Sequence, residues 1–160
     1  MKIITAVVLF CALGNAWGAG GVIQNGSTVT LHYVLTVEGR IADKSTDGAP
    51  MTYVQGSGQI VPGLEEALMG AKAGDKKHVK LSPGKGYGYV DGDLMQKVPK
   101  KSIKNGSKLK IGSVVNGQIQ GRTVRAVIAG MDKKNFYLDL NHPLAGKVLE
   151  FDIEIIDVKP

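Results

Sequence analysis

The sequence predicts an α+β fold, in which an antiparallel β-sheet wraps on one short helix and is interrupted by a small, mostly β unit. Apolar and polar residues alternate in residues 28–38 and again in residues 146–158, which predicts two half-buried strands. An amphipathic stretch after Pro62 predicts the helix. A lysine-rich region over residues 91–140 separates the helix from the last strand and predicts the interruption.

The two alternating segments predict a sheet with one apolar face. Their inward residues are Val29, Leu31, Tyr33, Leu35 and Val37 in the first segment, and Leu149, Phe151, Ile153 and Ile155 in the second. His32 falls on the polar face of the first strand, where we expect a solvated residue rather than a catalytic one. Two shorter strands are predicted over residues 51–56 and 75–83.

The stretch YVQGSGQIVPGLEEAL over residues 53–68 puts a glycine-rich loop directly before the predicted helix. This layout is typical of phosphate-binding proteins, but neither common phosphate motif fits. A dinucleotide fingerprint that starts at Gly56 would need a third glycine where Val61 stands, and a P-loop would need Gly-Lys-Ser/Thr where Pro62 and Gly63 stand.

The helix is predicted to begin at Pro62, whose fixed φ suits a first helical turn, and to end at Gly70 or Gly74. Its apolar face is formed by residues at the helical spacing i, i+3, i+4 and i+7, namely Leu64, Ala67, Leu68 and Ala71. Glu65 and Glu66 are adjacent and therefore point in different directions, so we interpret them as a solvated first turn near the positive end of the helix dipole rather than as an acid–base pair.

The first residues have the layout of a secretory signal peptide, predicted over residues 1–18. Lys2 precedes an uncharged apolar run over residues 3–13, and the small-x-small triplet Ala16-Trp17-Gly18 follows. An uncleaved membrane anchor is the alternative, but the run is well short of the roughly 20 residues that span a bilayer. Cys11 is the only cysteine, and bulky Phe10 before it disfavours lipidation. We therefore expect export to the bacterial periplasm of a mature chain without disulfides.

The positive charge of the chain is concentrated in residues 91–140. This region has ten Lys and Arg against four Asp, an excess of six that equals the net charge of the whole chain. It is predicted to form a helical turn around Pro99 and three strands within residues 112–140. Nucleic-acid binding is not expected, because Phe136 and Tyr137 are its only aromatic residues. We interpret the lysines as a solvated face that attracts acidic clients or a membrane surface.

Six stretches together resemble the FKBP-type peptidyl-prolyl isomerases, specifically their SlyD-like branch. They are VTLHYVLT, IADKS, YVQGSGQIVPGLEEALMGAKAGD, SPGKGYGYVDGDL, KVPK and NHPLAGKVLEFDIEI, in the order of the family. The resemblance implies an FKBP-like isomerase domain formed by residues 19–90 and 141–160, with an inserted (insert-in-flap) chaperone domain over residues 91–140. It also implies that the glycine-rich loop and the helix start shape an apolar cavity for proline instead of a phosphate site.

The resemblance implies nine site residues. Three are implied in a catalytic role, namely Tyr33 as one wall, Asp43 as the carboxylate beside the substrate carbonyl, and Tyr87 as a hydroxyl that donates to a bound carbonyl. The implied substrate-binding residues are Met51, Tyr53, Ile60, Val61, Leu64 and Phe151. Periodicity alone would assign the apolar members of this set to plain core packing. Leu64 stands where the most familiar members have tryptophan, and Ala42 and Met51 replace aromatic residues, so tight binding of macrolide inhibitors is not expected.

The function implied is a periplasmic peptidyl-prolyl cis-trans isomerase with chaperone activity that acts on unfolded or partly folded proteins and proline-containing peptides. A non-enzymatic holdase that binds chains through the basic inserted domain is the alternative. No cofactor is implied, and no metal is expected because His32, His78 and His142 lack ligand spacing. We expect a monomer without stable membrane insertion.

Overall fold

The computed structural model describes residues 21–46, 48–103, 105–119 and 121–160. The predicted signal peptide therefore lies outside the described residues. In chain order the elements are β1 (Thr28–Val37), β2 (Arg40–Lys44), β3 (Met51–Val54), α1 (Pro62–Leu68), β4 (Lys76–Leu81), β5 (Met95–Pro99), β6 (Val114–Ile119), β7 (Arg122–Met131), β8 (Asn135–Asp139) and β9 (Leu149–Lys159). Short 3₁₀ turns occur between β4 and β6. No helix among the described residues is long and apolar enough to cross a membrane.

The elements form two antiparallel sheets and confirm the predicted α+β class. The first sheet has the order β2-β1-β9-β4, and β3 also pairs with β1. The second sheet has the order β5-β8-β7-β6 and consists entirely of residues between β4 and β9. Strands β1 and β9 fall where alternation predicts them. Strand β9 alternates buried and exposed residues over most of its length, whereas the second row of β1 is half-buried.

Helix α1 packs against the first sheet through Leu64 and Leu68, which are both buried. It ends at Leu68, just before Gly70, whose φ of +76° is left-handed and favours glycine. Gly63 is required for close packing, because a Cβ there would lie 2.8 Å from both Leu81 Cδ2 and the Lys85 carbonyl oxygen. The first turn of the helix can therefore approach β4 and the turn after it only with glycine at this position.

The second sheet has its own small core of Ala126, Ile128 and Phe136. All three strands predicted over residues 112–140 are present as β6, β7 and β8. The helical turn predicted around Pro99 is present in part, as a 3₁₀ turn over Lys100–Ser102 with Pro99 at its N-cap, but the residues before it form strand β5, which was not predicted. An edge strand tolerates proline because the missing N–H would face away from the sheet.

The two sheets are joined where the chain leaves and re-enters the first one. The Asp91 N–H donates to Asn141 Oδ1 at 2.9 Å, and Asn141 Nδ2 donates to the Asp91 carbonyl oxygen at 2.9 Å. The two connecting segments are thus hydrogen-bonded directly to each other beside the site described next.

Candidate active site

A cavity of about 120 Å³ lies between β1, β2, β3, the start of α1, β9 and the loop after β4. It contains eight of the nine site residues implied by the sequence motifs: Tyr33, Asp43, Met51, Ile60, Val61, Leu64, Tyr87 and Phe151. Leu35 and Gln59 complete the lining. Most of these side chains are apolar, and two phenols, a carboxylate and an amide supply the polar groups.

Tyr33 and Asp43 form the polar corner of the cavity. The Tyr33 hydroxyl donates to Asp43 Oδ2 at 2.7 Å, and the Lys44 backbone N–H donates to Oδ1 at 2.8 Å. Burial, together with the hydrogen bond and the negative charge of Asp43, raises the pKa of Tyr33 to about 12. The phenol therefore keeps its proton at physiological pH and holds the carboxylate in one orientation. The Tyr33 and Phe151 rings lie 6.4 Å apart and are tilted by 53°, which forms an aromatic wall.

The glycine-rich loop holds its apolar residues against the cavity by hydrogen bonds. Gly58, at a left-handed φ of +71°, donates its N–H to Glu65 Oε1 at 3.1 Å, and Gln59 Oε1 accepts from the Val54 N–H at 2.8 Å. These bonds close the loop onto α1 and β3. Ile60 and Val61, which follow directly, are thereby placed on the lining.

Tyr53 is the one implied site residue that does not line this cavity. It is 2% exposed, and its hydroxyl donates to Gln55 Oε1 at 2.8 Å. Gln55 Nε2 in turn donates to the Glu65 carbonyl oxygen at 2.8 Å. Tyr53 therefore belongs to a buried network that ties the end of β3 to α1.

We expect Tyr53→Phe to destabilise the protein by about 1–2 kcal/mol at pH 7, because Gln55 loses a buried partner. Burial, followed by the charge of Glu65, raises the pKa of Tyr53 to about 12. A raised pKa contributes stability that is present below pH 10 and is lost as the pH rises towards 12. The wild type should lose this contribution and the variant should not. Denaturant unfolding at several pH values should therefore show that the difference in free energy of unfolding between the wild type and the variant becomes smaller above pH 10. A difference that does not change with pH would contradict this account.

Leu35 and Gln59 line the cavity but were missed by the sequence reasoning. Leu35 lies two residues after Tyr33 on the same face of β1, so the alternation held a signal for it. For Gln59 no such signal exists, because its position depends on how the glycine-rich loop folds back on β3.

Tyr87 stacks on the ring of His142, with the ring centroids 3.8 Å apart and the planes within 8°. His142 Nδ1 accepts a hydrogen bond from the Leu144 backbone N–H at 3.2 Å. His142 thus has a structural role, since its ring restricts the orientation of Tyr87, a cavity residue that is 40% exposed. The residue that contacts Tyr87 therefore belongs to the segment between β8 and β9, which connects the second sheet to the first.

A larger cleft of about 460 Å³ lies on the opposite face of the first sheet, lined by residues that include His32, Lys76, His78, Asp152 and Glu154. Its walls are charged and exposed, with His78 Nδ1 2.7 Å from Asp152 Oδ1 and Lys76 Nζ 3.3 Å from Glu154 Oε2. Such a surface stays hydrated and cannot offer a dry site.

In the described part of the chain, no group of three or more His, Cys, Asp and Glu has a metal-binding arrangement.

The fold and the apolar cavity define an FKBP-like protein, and comparison with known proteins agrees. The family model for FKBP-type peptidyl-prolyl cis-trans isomerases matches residues 20–156. A probable FKBP-type 16 kDa peptidyl-prolyl cis-trans isomerase of Pseudomonas fluorescens is 37% identical, over 86% of this chain and 92% of that protein. The Escherichia coli K12 FKBP-type 16 kDa isomerase is 30% identical, over 86% and 95% of the two chains.

The SlyD isomerase of Yersinia pestis is 35% identical over 82% of this chain and 68% of that protein, which supports the SlyD-like branch. Among solved structures, FkpA from Escherichia coli superposes with a TM-score of 0.50 at 23% identity, which is a similarity of fold. The alignment covers 89% of this chain but only 45% of FkpA. The chain belongs to the family of FKBP-type peptidyl-prolyl cis-trans isomerases, as its motifs indicated.

Proposed function

We propose that the protein catalyses rotation about X-Pro bonds in the cavity between Tyr33, Leu64, Tyr87 and Phe151, and that its second sheet holds the unfolded or partly folded chains that carry those bonds. The catalytic proposal rests on one observation, the combination of an apolar lining with a hydrogen-bonded Tyr33–Asp43 pair. We assign the isomerase domain to residues 19–90 and 141–160, and the inserted chaperone domain to residues 91–140.

The chemistry needs no nucleophile, metal or redox group. Rotation about a peptide bond faces a barrier of about 18–20 kcal/mol, although the two isomers of X-Pro differ by only about 1 kcal/mol. Twisting the amide breaks its resonance and makes it less dipolar. A dry cavity therefore disfavours the planar amide relative to the twisted one, and each 1.36 kcal/mol of that difference corresponds to about tenfold in rate.

The polar groups of the cavity add orientation and electrostatics. We assign the Tyr87 hydroxyl as a donor to a carbonyl of the bound chain, which fixes the proline over Leu64. We place the Asp43 carboxylate near the carbonyl oxygen of the X-Pro bond, where its charge would oppose the negative charge that resonance puts on that oxygen. The planar form carries more of this charge than the twisted form, so the carboxylate favours rotation.

The second sheet offers a groove of about 310 Å³ on one face, which we call the sheet groove. Its apolar lining includes Val98, Ile103, Val115, Val124, Ala126 and Leu138. The Gln96 carboxamide, on the same face as its pairing partner Leu138, can bond to the backbone of an extended peptide. An apolar floor with a carboxamide beside it suits unfolded chains of varied sequence, and this supports the chaperone assignment.

A holdase without enzymatic activity would use the sheet groove alone and would not need the cavity. The joint presence of Tyr33, Asp43, Ile60, Tyr87 and Phe151 on one lining favours the enzyme. We further propose that residues 1–18 direct the protein to the periplasm and are removed there, and that the mature protein works as a monomer.

A protease-free assay of a short Ala-X-Pro-type peptide, run beside the refolding of a proline-limited protein, tests the proposal. We expect the wild type to accelerate both reactions, and the protein substrate more strongly at equal concentration. Suppression of aggregation without acceleration of either reaction would overturn the enzyme assignment and leave the holdase.

A further inference from the structure

Three lysines gather beside the sheet groove. Lys100, Lys101 and Lys134, with Pro99 and Asn135, line a surface concavity of about 470 Å³, which we call the lysine concavity. The Lys100 N–H donates to the Lys134 carbonyl oxygen at 2.9 Å, which joins the turn after β5 to the β7–β8 turn. The three side chains are therefore presented together by hydrogen-bonded backbone.

Among the residues that the structure describes, none that lines the lysine concavity is acidic, and the neighbouring Asp132 is hydrogen-bonded to neutral groups. Asp132, in the adjacent turn, accepts hydrogen bonds from the Lys134 and Asn135 N–H groups, from Asn135 Nδ2 and from the Tyr137 hydroxyl. Hydrogen bonds from Asn135 and the Lys134 backbone hold the pKa of the Asp132 carboxyl far below its usual range. Each of the six ion pairs found in the described residues lies outside residues 91–140. Asp132 therefore stays ionised and offsets part of the local positive charge, but Lys100, Lys101 and Lys134 form none of these ion pairs and leave the lysine concavity with a net positive charge.

The lysine concavity and the sheet groove are continuous along the chain. Val98 lines the groove, Lys100 and Lys101 line the concavity, and Ser102 and Ile103 line the groove again. The Lys100 ammonium lies 5.2 Å from the ring centroid of Phe136, a core residue of the same sheet. The linings of the two concave surfaces thus alternate along residues 98–103, so the surfaces adjoin at the end of β5.

We propose that the lysine concavity receives carboxylates of the same polypeptide that occupies the sheet groove, so that the protein selects unfolded chains in which an acidic run flanks an apolar segment. This inference rests on the proposed chaperone function and specifies its clients. A peptide suits the surface better than a nucleic acid does. The Phe136 ring is fully buried, and the Tyr137 ring is 38% exposed with the Lys97 ammonium 5.8 Å from its centroid, so these two residues offer at most one ring on which a base could stack.

The test measures the affinity of the full chain for three fluorescent peptides by anisotropy. The peptides share one apolar core and differ only in a flank of three Glu, three Ser or three Lys. In 20 mM salt we expect the Glu-flanked peptide to bind about tenfold more tightly than the Ser-flanked one, which corresponds to three modest exposed ion pairs. In 500 mM salt the preference should fall to about twofold or less because the charges are screened.

The decisive variant is Lys100→Gln/Lys101→Gln/Lys134→Gln, and the matched control is Lys97→Gln/Lys108→Gln/Lys110→Gln, which removes the same charge from the same unit. We expect the first variant to lose the preference while it binds the Ser-flanked peptide as the wild type does, and the control to keep the preference. Equal loss in both variants would show a general charge effect and overturn the proposal, as would an unchanged preference in the first.

Two further outcomes separate this inference from its premise. If the Ser-flanked peptide does not bind to the wild type at all, the chaperone function itself fails, whatever the Glu-flanked peptide does. If vesicles with 30% phosphatidylglycerol or a 20-nucleotide single strand depend on Lys100, Lys101 and Lys134 while the Glu-flanked peptide does not, the concavity serves a lipid surface or a nucleic acid, and the assignment to acidic clients is overturned.

Discussion

Replacing residues 91–140 with a short loop is expected to leave the isomerisation of a short X-Pro peptide within about twofold of the wild type, and to slow catalysed refolding of a protein substrate by about 100-fold. A short peptide needs only the cavity. An unfolded protein held by the sheet groove presents its prolines at an effective concentration in the millimolar range, against the micromolar concentration of a refolding assay. The loss of that tethering accounts for the expected size of the effect.

The structure favours a clean deletion. Asp91 and Asn141 are hydrogen-bonded to each other, so a loop of a few residues can join Val90 to Asn141 without moving β9. The cavity residue that the deletion endangers is Tyr87, whose ring stacks on His142. Retention of peptide activity is therefore also the control for an intact Tyr87.

A point variant gives the same test without a deletion. Leu138→Glu places a charge in the sheet groove and should slow protein refolding while sparing the peptide. If the deletion and Leu138→Glu each slowed the peptide and the protein reaction equally, this would contradict the assignment of catalysis to the first sheet and of chain binding to the second.

The double variant Asp43→Ala/Tyr87→Phe is expected to lower kcat/KM by about 100-fold for the peptide and for the protein substrate. Each change removes one polar interaction of about 1–1.5 kcal/mol, or about tenfold in rate. Tyr87→Phe should raise KM in part, because the lost hydroxyl orients the bound chain. Asp43→Ala should lower kcat, because the lost carboxylate charge distinguishes the planar amide from the twisted one.

The matched control is Asp157→Ala/Tyr89→Phe, which makes the same chemical changes at a half-buried aspartate and an exposed tyrosine outside the cavity. It should retain wild-type kinetics and stability. Wild-type turnover by the Asp43/Tyr87 variant would mean that the apolar lining alone drives rotation, and the roles assigned to these two side chains would be wrong.

The sequence predicts strand β1 and the start of helix α1, but it does not predict strand β5. Strict alternation located β1, and Pro62 located the start of α1, because these signals depend on nearest neighbours along the chain. Strand β5 was missed because Pro99 opposes strand pairing locally. The pairing of β5 with β8, between residues about 40 apart in sequence, overrides that preference at a sheet edge.

The candidate site was predicted to the extent that motifs identify residue positions. Met51 and Tyr53 lie on the same face of β3, yet Met51 lines the cavity and Tyr53 lies in the core. The reason is register, since Met51 pairs with Leu31 and Tyr53 pairs with Val29, one step farther along the sheet. Periodicity specifies the face of a strand, but the end of the sheet at which a cavity opens depends on loops such as residues 55–61 and on Tyr87.

We assign X-Pro rotation to the cavity of Tyr33, Asp43 and Tyr87. The most direct measurement is NMR of the ¹⁵N-labelled protein titrated with an Ala-Leu-Pro-type peptide, with the cis–trans exchange of the peptide recorded in the same samples. We expect the largest amide shifts at Ile60, Val61 and Tyr87, together with accelerated exchange. Shifts confined to the charged cleft around His32 and His78, or exchange that accelerates without any shift at the cavity, would contradict the account.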